Sequence, residues 1–173
     1  MITHIAAYAA ILIGCAYLGA LFASKFKKRV EQLTELKCAL AQLEFDIDFL
    51  NTPIYESLEK AAERSSGGVA LVFAYIARRL RDERCVNMGK LWMRAVRLYR
   101  TELFLSDEDI KILTDFAENL GCGNREKEMN NIKAAVMRLG VAENEARTAA
   151  SGGVRMYRGL GILCGVFLVI VLL

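Results

Sequence analysis

Apolar residues recur at every third or fourth position along this 173-residue chain, and no stretch alternates apolar and polar residues. The clearest series has spacings of 3, 4, 3, 4 and 3 and comprises Leu33, Leu36, Leu40, Leu43, Ile47 and Leu50. This spacing places all six side chains on one face of an α-helix. Because the series covers fewer than about three heptads, it predicts packing inside a helical bundle rather than a long free coiled coil.

Turn and capping residues divide the rest of the chain into further helices. Thr52 and Pro53 predict the start of a short helix over 53–64, because proline suits the first helical turn. Residues 65–68 interrupt it. Apolar spacing then predicts helices over 69–80 and 90–99, a helix over 107–120 capped by Ser106, and a long final helix from about residue 125. The sequence therefore predicts an all-α helical bundle.

Two uncharged apolar runs lie at the ends of the chain, at 5–23 and 159–173. The first has about the length that spans a bilayer, and basic residues follow it rather than precede it. It therefore predicts a retained transmembrane helix rather than a cleaved signal peptide. The second run would form roughly 22 Å of helix. We predict that it is a short span, with partial insertion into the bilayer as the alternative.

The outer sides of both runs carry no lysine or arginine. The inner sides carry Lys25, Lys27, Lys28, Arg29, Arg147, Arg155 and Arg158. This asymmetry predicts that the central part is cytoplasmic and that both termini lie on the outer side of the membrane. We expect an N-terminal transmembrane helix at 1–24, a cytoplasmic helical bundle at 25–154 and a C-terminal transmembrane helix at 155–173. Residues 151–153, Ser-Gly-Gly, predict a flexible joint before the last segment.

Small residues recur at four-residue spacing in both apolar runs, and they include Ala10, Gly14, Gly161 and Gly165. Such spacing lets helices approach closely in lipid. We therefore predict that these residues pack helix against helix, either within one chain or between copies. The alternative is that they reflect the ordinary composition of membrane helices.

The sequence offers no set of catalytic or metal-binding residues. Its one histidine, His4, lies at the outer edge of the first run, so a Ser/His or Cys/His pair is excluded from the central part. The five cysteines form no C-x-x-C pair and are expected to be reduced, packed thiols. The acidic cluster Glu44, Asp46 and Asp48 predicts a solvated helix face. We therefore expect neither an enzyme nor a cofactor or metal site.

Charge is distributed unevenly along the central part. Residues 78–100 contain eight basic and two acidic side chains, whereas 101–118 contain one basic and six acidic ones. One interpretation is that the two stretches neutralise each other within the bundle. The other is a docking face for an acidic protein or anionic lipid headgroups, made of Arg78, Arg81, Lys90, Arg94 and Arg97. Nucleic acid is a poorer partner, because the aromatic residues here lie on the apolar face.

Four segments resemble the stage III sporulation protein AB family of endospore-forming bacteria: 52–58 (TPIYESL), 105–109 (LSDED), 116–121 (FAENLG) and 155–161 (RMYRGLG). The resemblance covers nearly the whole chain. It implies a platform protein in the channel that joins mother cell to forespore, located in the mother-cell membrane. It also implies a cytoplasmic helical bundle similar to protein F of type II secretion systems.

The resemblance further implies partners. They are the cytoplasmic ATPase of the same system, stage III sporulation protein AA, together with other membrane proteins of the channel. The alternative function is a membrane-tethered helical adaptor or regulator that has no ATPase partner. The heptad spacing does not decide whether the helices pair within one chain or between the copies of a homo-oligomer.

Overall fold

The computed structural model describes residues 2–50, 52–82, 87–120 and 125–172, and over much of the first and last helices it describes the helix without its side chains. The described residues form six α-helices and no strand, which confirms the predicted all-α class. The helices are α1 (Ile2–Asp48), α2 (Ile54–Arg64), α3 (Gly67–Asp82), α4 (Met88–Leu98), α5 (Asp107–Glu118) and α6 (Arg125–Leu172).

The chain divides into two compact units. One unit contains Met1–Val30 and Glu145–Leu173, and the other contains Glu31–Asn144. Helices α1 and α6 each contribute to both units, whereas α2 to α5 belong entirely to the second. The second unit is the helical bundle that carries the candidate docking residues.

The predicted helix face of α1 forms the centre of this bundle. Leu33, Leu36, Leu40 and Leu43 are buried there, as the spacing predicts. Ile47 is only partly buried. The prediction is wrong for Leu50, which is exposed because α1 ends at Asp48 and the chain turns away before this residue can join the seam.

Helices α1 and α6 run antiparallel within the bundle and are joined by polar contacts. Glu143 is buried on α6, where its Oε1 accepts a hydrogen bond of 2.8 Å from Thr34 Oγ1. Its Oε2 forms an ion pair with Lys37. Nearer the C-terminal end of α1, Lys133 Nζ of α6 lies 3.8 Å from Glu44 Oε1. Glu143 of α6 is therefore a buried polar partner of α1.

The expectation that Asp46 belongs to a solvated acidic face is wrong. Its side chain is buried, and its Oδ1 accepts a hydrogen bond of 2.7 Å from Gln42 Nε2 on the same face of α1. Its backbone carbonyl accepts from Thr52 N, which turns the chain from α1 towards α2. Asp46 thus occupies the corner between two helices, which its position in the heptad does not reveal. Its neighbour Asp48 is exposed as expected.

The predicted joint at residues 151–153 is not observed, because α6 continues through them. Ser151 Oγ donates to the carbonyl of Thr148, a bond that leaves the helix intact. A Cβ atom on Gly153 would lie 3.3 to 3.5 Å from the ring atoms of Phe26. This glycine therefore accommodates an aromatic ring from α1 rather than a bend in α6.

Among the described residues, no helix combines the length and the apolar character needed to cross a membrane. Most side chains of the two predicted membrane runs, 5–23 and 159–173, lie outside the described residues. The predicted spans, their orientation and the predicted domain boundaries therefore remain predictions.

Candidate functional site

Helix α4 carries three of the five predicted docking residues. Asn87 caps its start by accepting a hydrogen bond of 3.0 Å from the backbone N–H of Lys90. This contact satisfies one of the free N–H groups in the first turn. The apolar face of the helix is buried and consists of Met88, Leu91, Trp92, Ala95 and Val96. The opposite face is exposed and consists of Lys90, Met93, Arg94, Arg97 and Leu98.

An aromatic cluster fixes the buried face of α4. The ring of Trp92 meets Phe73 of α3 edge-on at a centroid distance of 5.8 Å and an angle of 78°. It meets Phe116 of α5 at 5.7 Å and 85°. All three rings are fully buried, so α3, α4 and α5 share one packed core. The exposed basic side chains therefore project from a rigid support.

A close approach to α5 also positions the start of α4. A Cβ atom on Gly89 would lie 2.5 Å from Cγ and 3.3 Å from Cα of Glu118. A side chain at this position would require Glu118 to move. The glycine therefore lets the first turn of α4 lie against the last turn of α5.

Gln32 of α1 fixes the loop that leads from α4 to α5. Its Nε2 donates to the carbonyl of Glu102 at 2.8 Å, and its Oε1 accepts from the backbone N–H of Phe104 at 2.7 Å. Ser106 and Asp109 then form a reciprocal capping box that starts α5, which confirms the cap predicted at Ser106. The role of Gln32 is not predicted by the sequence, because its partners lie about 70 residues away and are backbone atoms.

No ion pair joins the basic side chains of α4 to an acidic side chain that the structure describes. Lys90, Arg94 and Arg97 are exposed, and none lies within ion-pair distance of an acidic side chain in the described part of the chain. They are spaced four and three residues apart, so they occupy one face of the helix. We call Lys90, Arg94 and Arg97 the basic face.

The two predicted docking residues on α3 differ from each other. Arg78 is exposed and, like the basic face, pairs with no described acidic side chain. Arg81 pairs with Glu59 of α2, and its guanidinium lies 5.7 Å from the ring centroid of Tyr55. Through these two contacts, Arg81 contributes to the packing of α2 against α3. The ring that it meets has an altered acidity: the hydrogen bond that Tyr55 Oη donates to Glu56, together with the charge of that carboxylate, raises the pKa of Tyr55.

Mutual neutralisation of the basic and acidic stretches is limited. In residues 78–82, 87–120 and 125–172, one ion pair joins the two stretches, that of Arg100 with Asp107 at 3.3 Å. The acidic stretch otherwise uses Asp109 in its helix cap and pairs Asp115 with Arg138 of α6 at 3.2 Å. The net positive charge of α4 is therefore left on the surface.

Of the four residues predicted to pack membrane helices, the structure describes the surroundings of Gly14 alone. Ala10, Gly161 and Gly165 lie in α1 and α6, and the surroundings of their side-chain positions are outside the described residues. Gly14 is exposed, and no heavy atom lies within 4 Å of the position that a Cβ atom would take. The packing role of these four residues remains a prediction.

No group of three or more metal-ligating side chains occurs among the described residues. A groove of about 280 Å³ lies between α1 and α2, lined by residues that include Glu35, Cys38 and Arg64. Glu35 uses its carboxylate to hold Ser66, whose Oγ lies 2.6 Å from Oε1, at the start of α3. Cys38 is a free thiol and is exposed, whereas the sequence predicts a packed one. Cys85 and Cys122 lie outside the described residues.

Three comparisons place the chain among known proteins. The sequence profile of stage III sporulation protein AB matches residues 4–173. Stage III sporulation protein AB of Bacillus subtilis (strain 168) is 25% identical over 163 residues, which cover 94% of this chain and 95% of that protein. A solved structure of stage III sporulation protein AB has a TM-score of 0.66 at 25% identity and covers 72% of this chain and 97% of its own.

The matched profile covers almost the entire chain, and the relative and the solved structure carry the same name. That name refers to a stage of sporulation and to no enzymatic activity, so the chain has a role in sporulation, and the naming of its relatives agrees with the prediction that it is not an enzyme. The resemblance seen in four short segments thus extends over the full length, and the chain belongs to the stage III sporulation protein AB family.

Proposed function

We propose that this chain is a membrane platform component of the channel between mother cell and forespore. In this role it anchors a cytoplasmic secretion-type ATPase, stage III sporulation protein AA, to the other membrane proteins of the channel. The observation that carries the proposal is the basic face of α4, which is exposed, rigidly supported and not paired with any acidic side chain in residues 52–82, 87–120 or 126–153. The family supplies the sporulation context.

Membrane attachment is supported by the sequence. The apolar runs at 5–23 and 159–173 have basic residues on their inner sides only, the arrangement of a chain with both termini outside. The helical bundle would then lie in the mother-cell cytoplasm, where an ATPase can reach it. A similarity of this bundle to protein F of type II secretion systems is part of the same proposal.

The chemistry of the basic face suits an acidic protein surface. Three cations on one helix face attract and orient an acidic partner, and the contact weakens as salt screens the charges. Met93 and Leu98 are exposed beside them and offer apolar contact area at the same surface. Because aromatic packing already fixes α4, little conformational freedom is lost when a partner binds.

Charge reversal tests the proposal. We expect Arg94→Glu with Arg97→Glu to weaken capture of the purified ATPase by the full-length chain by at least about tenfold. Both side chains are exposed, so the thermal unfolding midpoint is expected to stay unchanged. The measurement is an equilibrium pull-down at two salt concentrations, in which wild-type capture falls at the higher salt.

A matched control tests whether a charge reversal affects capture only when it lies on α4. Lys111→Glu reverses one exposed charge on α5, and Arg94→Glu reverses one on α4. We expect only Arg94→Glu to reduce capture. Equal capture by all variants would leave the membrane-tethered adaptor as the better function. Loss of binding to anionic vesicles without loss of ATPase capture would assign the basic face to lipid instead.

A further inference from the structure

The outer face of α6 presents a stripe of apolar side chains. Ala134, Met137 and Val141 are exposed, and the last two expose 67% and 60% of their surface. Their spacings of three and four residues place them on one side of the helix, opposite the buried Ile132 and Leu139. We call Ala134, Met137 and Val141 the α6 stripe. Contiguous exposed apolar side chains are typical of an interaction surface.

The spacing of the α6 stripe is that of a coiled-coil seam. With Val141 at heptad position a, Met137 takes position d and Ala134 takes the preceding a. A β-branched residue at position a favours the pairing of two parallel helices. The small side chain of Ala134 leaves room for a longer one from a facing helix. The face that α6 turns away from the bundle therefore fits one further helix.

The cations beside the α6 stripe are already paired within the chain. Lys133 Nζ lies 3.8 Å from Glu44 Oε1, and Arg138 Nη1 lies 3.2 Å from Asp115 Oδ2. These cations occupy positions g and e, where like charges on facing helices repel each other. Because each has an acidic partner of its own, that repulsion is reduced. The α6 stripe is thus a nearly neutral surface that suits an identical stripe.

We propose that the α6 stripes of two copies of this chain pack against each other as parallel helices. Each position of the stripe then meets its own equivalent, so Met137 packs against Met137 and Val141 against Val141. A parallel pair keeps both chains in the same direction, which suits the predicted insertion of both C-terminal runs into one membrane. The contact uses no residue of the basic face, so it does not compete with the ATPase for those residues.

The α6 stripe is short, so the pair is expected to depend on the membrane. Three seam positions bury less than the roughly 1,600 Å² of a standard protein–protein interface. Confinement of both copies to one bilayer raises their effective concentration and offsets the small contact area. The tests therefore use the full-length chain in a membrane.

Opposite charges at one position test whether the contact is symmetric. Met137→Glu and Met137→Lys each place like charges face to face in a pair of identical copies. We expect each variant alone to pair at least about tenfold more weakly than wild type. The measurement is energy transfer between donor-labelled and acceptor-labelled chains in phosphatidylcholine vesicles. A mixture of the two variants is expected to recover the transfer, and a mixture that stays unpaired would overturn the inference.

Leu71→Glu is the matched control. Leu71 is an apolar residue of α3 with 41% of its surface exposed, and it belongs neither to the α6 stripe nor to the basic face. We expect this variant to show the same energy transfer as wild type. Because Leu71 and Met137 are both exposed, the thermal unfolding midpoint is expected to stay unchanged in either variant. Equal losses at the two positions would contradict a contact located on α6.

Photo-crosslinking in the native membrane identifies what covers the α6 stripe. Met137 is replaced by the photoreactive amino acid p-benzoylphenylalanine in one tagged copy, which is co-expressed with a second copy carrying a different tag. We expect a covalent dimer in which position 137 is joined to a peptide from 134–141 of the second copy. Dimers joined through another peptide, or adducts with a different protein alone, would refute the proposal. ATPase capture retained by Met137→Glu would show that such a failure leaves the proposed function standing.

Discussion

Gly68 lies at a close contact between the first turn of α3 and the loop that follows α4. A Cβ atom there would lie 2.5 Å from the carbonyl oxygen of Glu102 and 2.7 Å from its carbonyl carbon. These are backbone atoms, and Gln32 Nε2 donates a hydrogen bond to the same carbonyl. The loop therefore cannot move aside easily. We expect Gly68→Ala to lower the free energy of unfolding by about 1–3 kcal/mol, measured by urea denaturation.

Gly140→Ala is the matched control for that substitution. Gly140 lies inside α6, and nothing lies within 4 Å of its Cβ position. Alanine there removes the entropic penalty of glycine without a clash. The free energy of unfolding should therefore rise by about 0.5–1 kcal/mol. If Gly68→Ala raised the free energy of unfolding as Gly140→Ala is expected to, that result would contradict the close contact at Gly68.

Single residues also show where sequence patterns stop being informative. The buried leucines of α1 follow from their spacing, because a helix brings every third and fourth residue to one face. Gln32 and Glu143 are buried polar residues whose side-chain partners are distant in sequence, and Asp46 is buried at the turn from α1 to α2. Periodicity contains no information about such contacts, and it therefore placed Asp46 on a solvated face although its side chain is buried.

The pairing of α1 with α6 depends on a buried charge as well as on apolar contacts. Glu143 has one oxygen bonded to Thr34 and the other to Lys37. Removing Lys37 alone leaves the buried carboxylate with one partner fewer. We expect Lys37→Met to lower the free energy of unfolding by about 1–3 kcal/mol, because an unpaired buried charge is costly.

A double-mutant cycle checks this explanation. In the variant Lys37→Met with Glu143→Leu, no carboxylate remains to be neutralised, so the combined substitution is expected to destabilise the bundle less than Lys37→Met alone. Additive losses in chemical denaturation would mean that the two residues act independently.

Helix positions were predictable where local signals are strong. The cap at Ser106 follows from residue chemistry and agrees with the observed start of α5. The break predicted at residues 65–68 is shorter than expected, because α3 already begins at Gly67. The joint expected at residues 151–153 fails, because glycine spacing does not distinguish a bend from a close contact. Only the ring of Phe26 beside Gly153 reveals which of the two applies.

For the whole molecule, the distribution of lysine and arginine leads to a test of topology. In variants with a single cysteine, we expect Cys38 to react with a membrane-impermeant reagent only after the cells are permeabilised. Cys38 is suited to this use because it is free and exposed. A cysteine introduced by Thr3→Cys is expected to react in intact cells. The reverse pattern would place the bundle outside and exclude a cytoplasmic partner.

Cys15 and Cys164 complete the topology map. Each lies inside one of the apolar runs. In a spanning segment they would be shielded from a water-borne reagent, so we expect neither to be labelled from either side of an intact membrane. Labelling of Cys164 alone would favour partial insertion of the shorter C-terminal run.

Trp92 is the only tryptophan in the chain, and it lies directly beneath the basic face. Its indole is fully buried between two phenylalanine rings, and its Nε1 has no hydrogen-bond partner among the described residues. The tryptophan fluorescence of the protein therefore comes from one ring in an apolar setting on the helix that is proposed to bind. Emission should be blue-shifted in the folded chain and move to longer wavelength when α4 detaches. The molecule thus contains its own optical reporter of whether a partner docks on α4 as it stands or rearranges it.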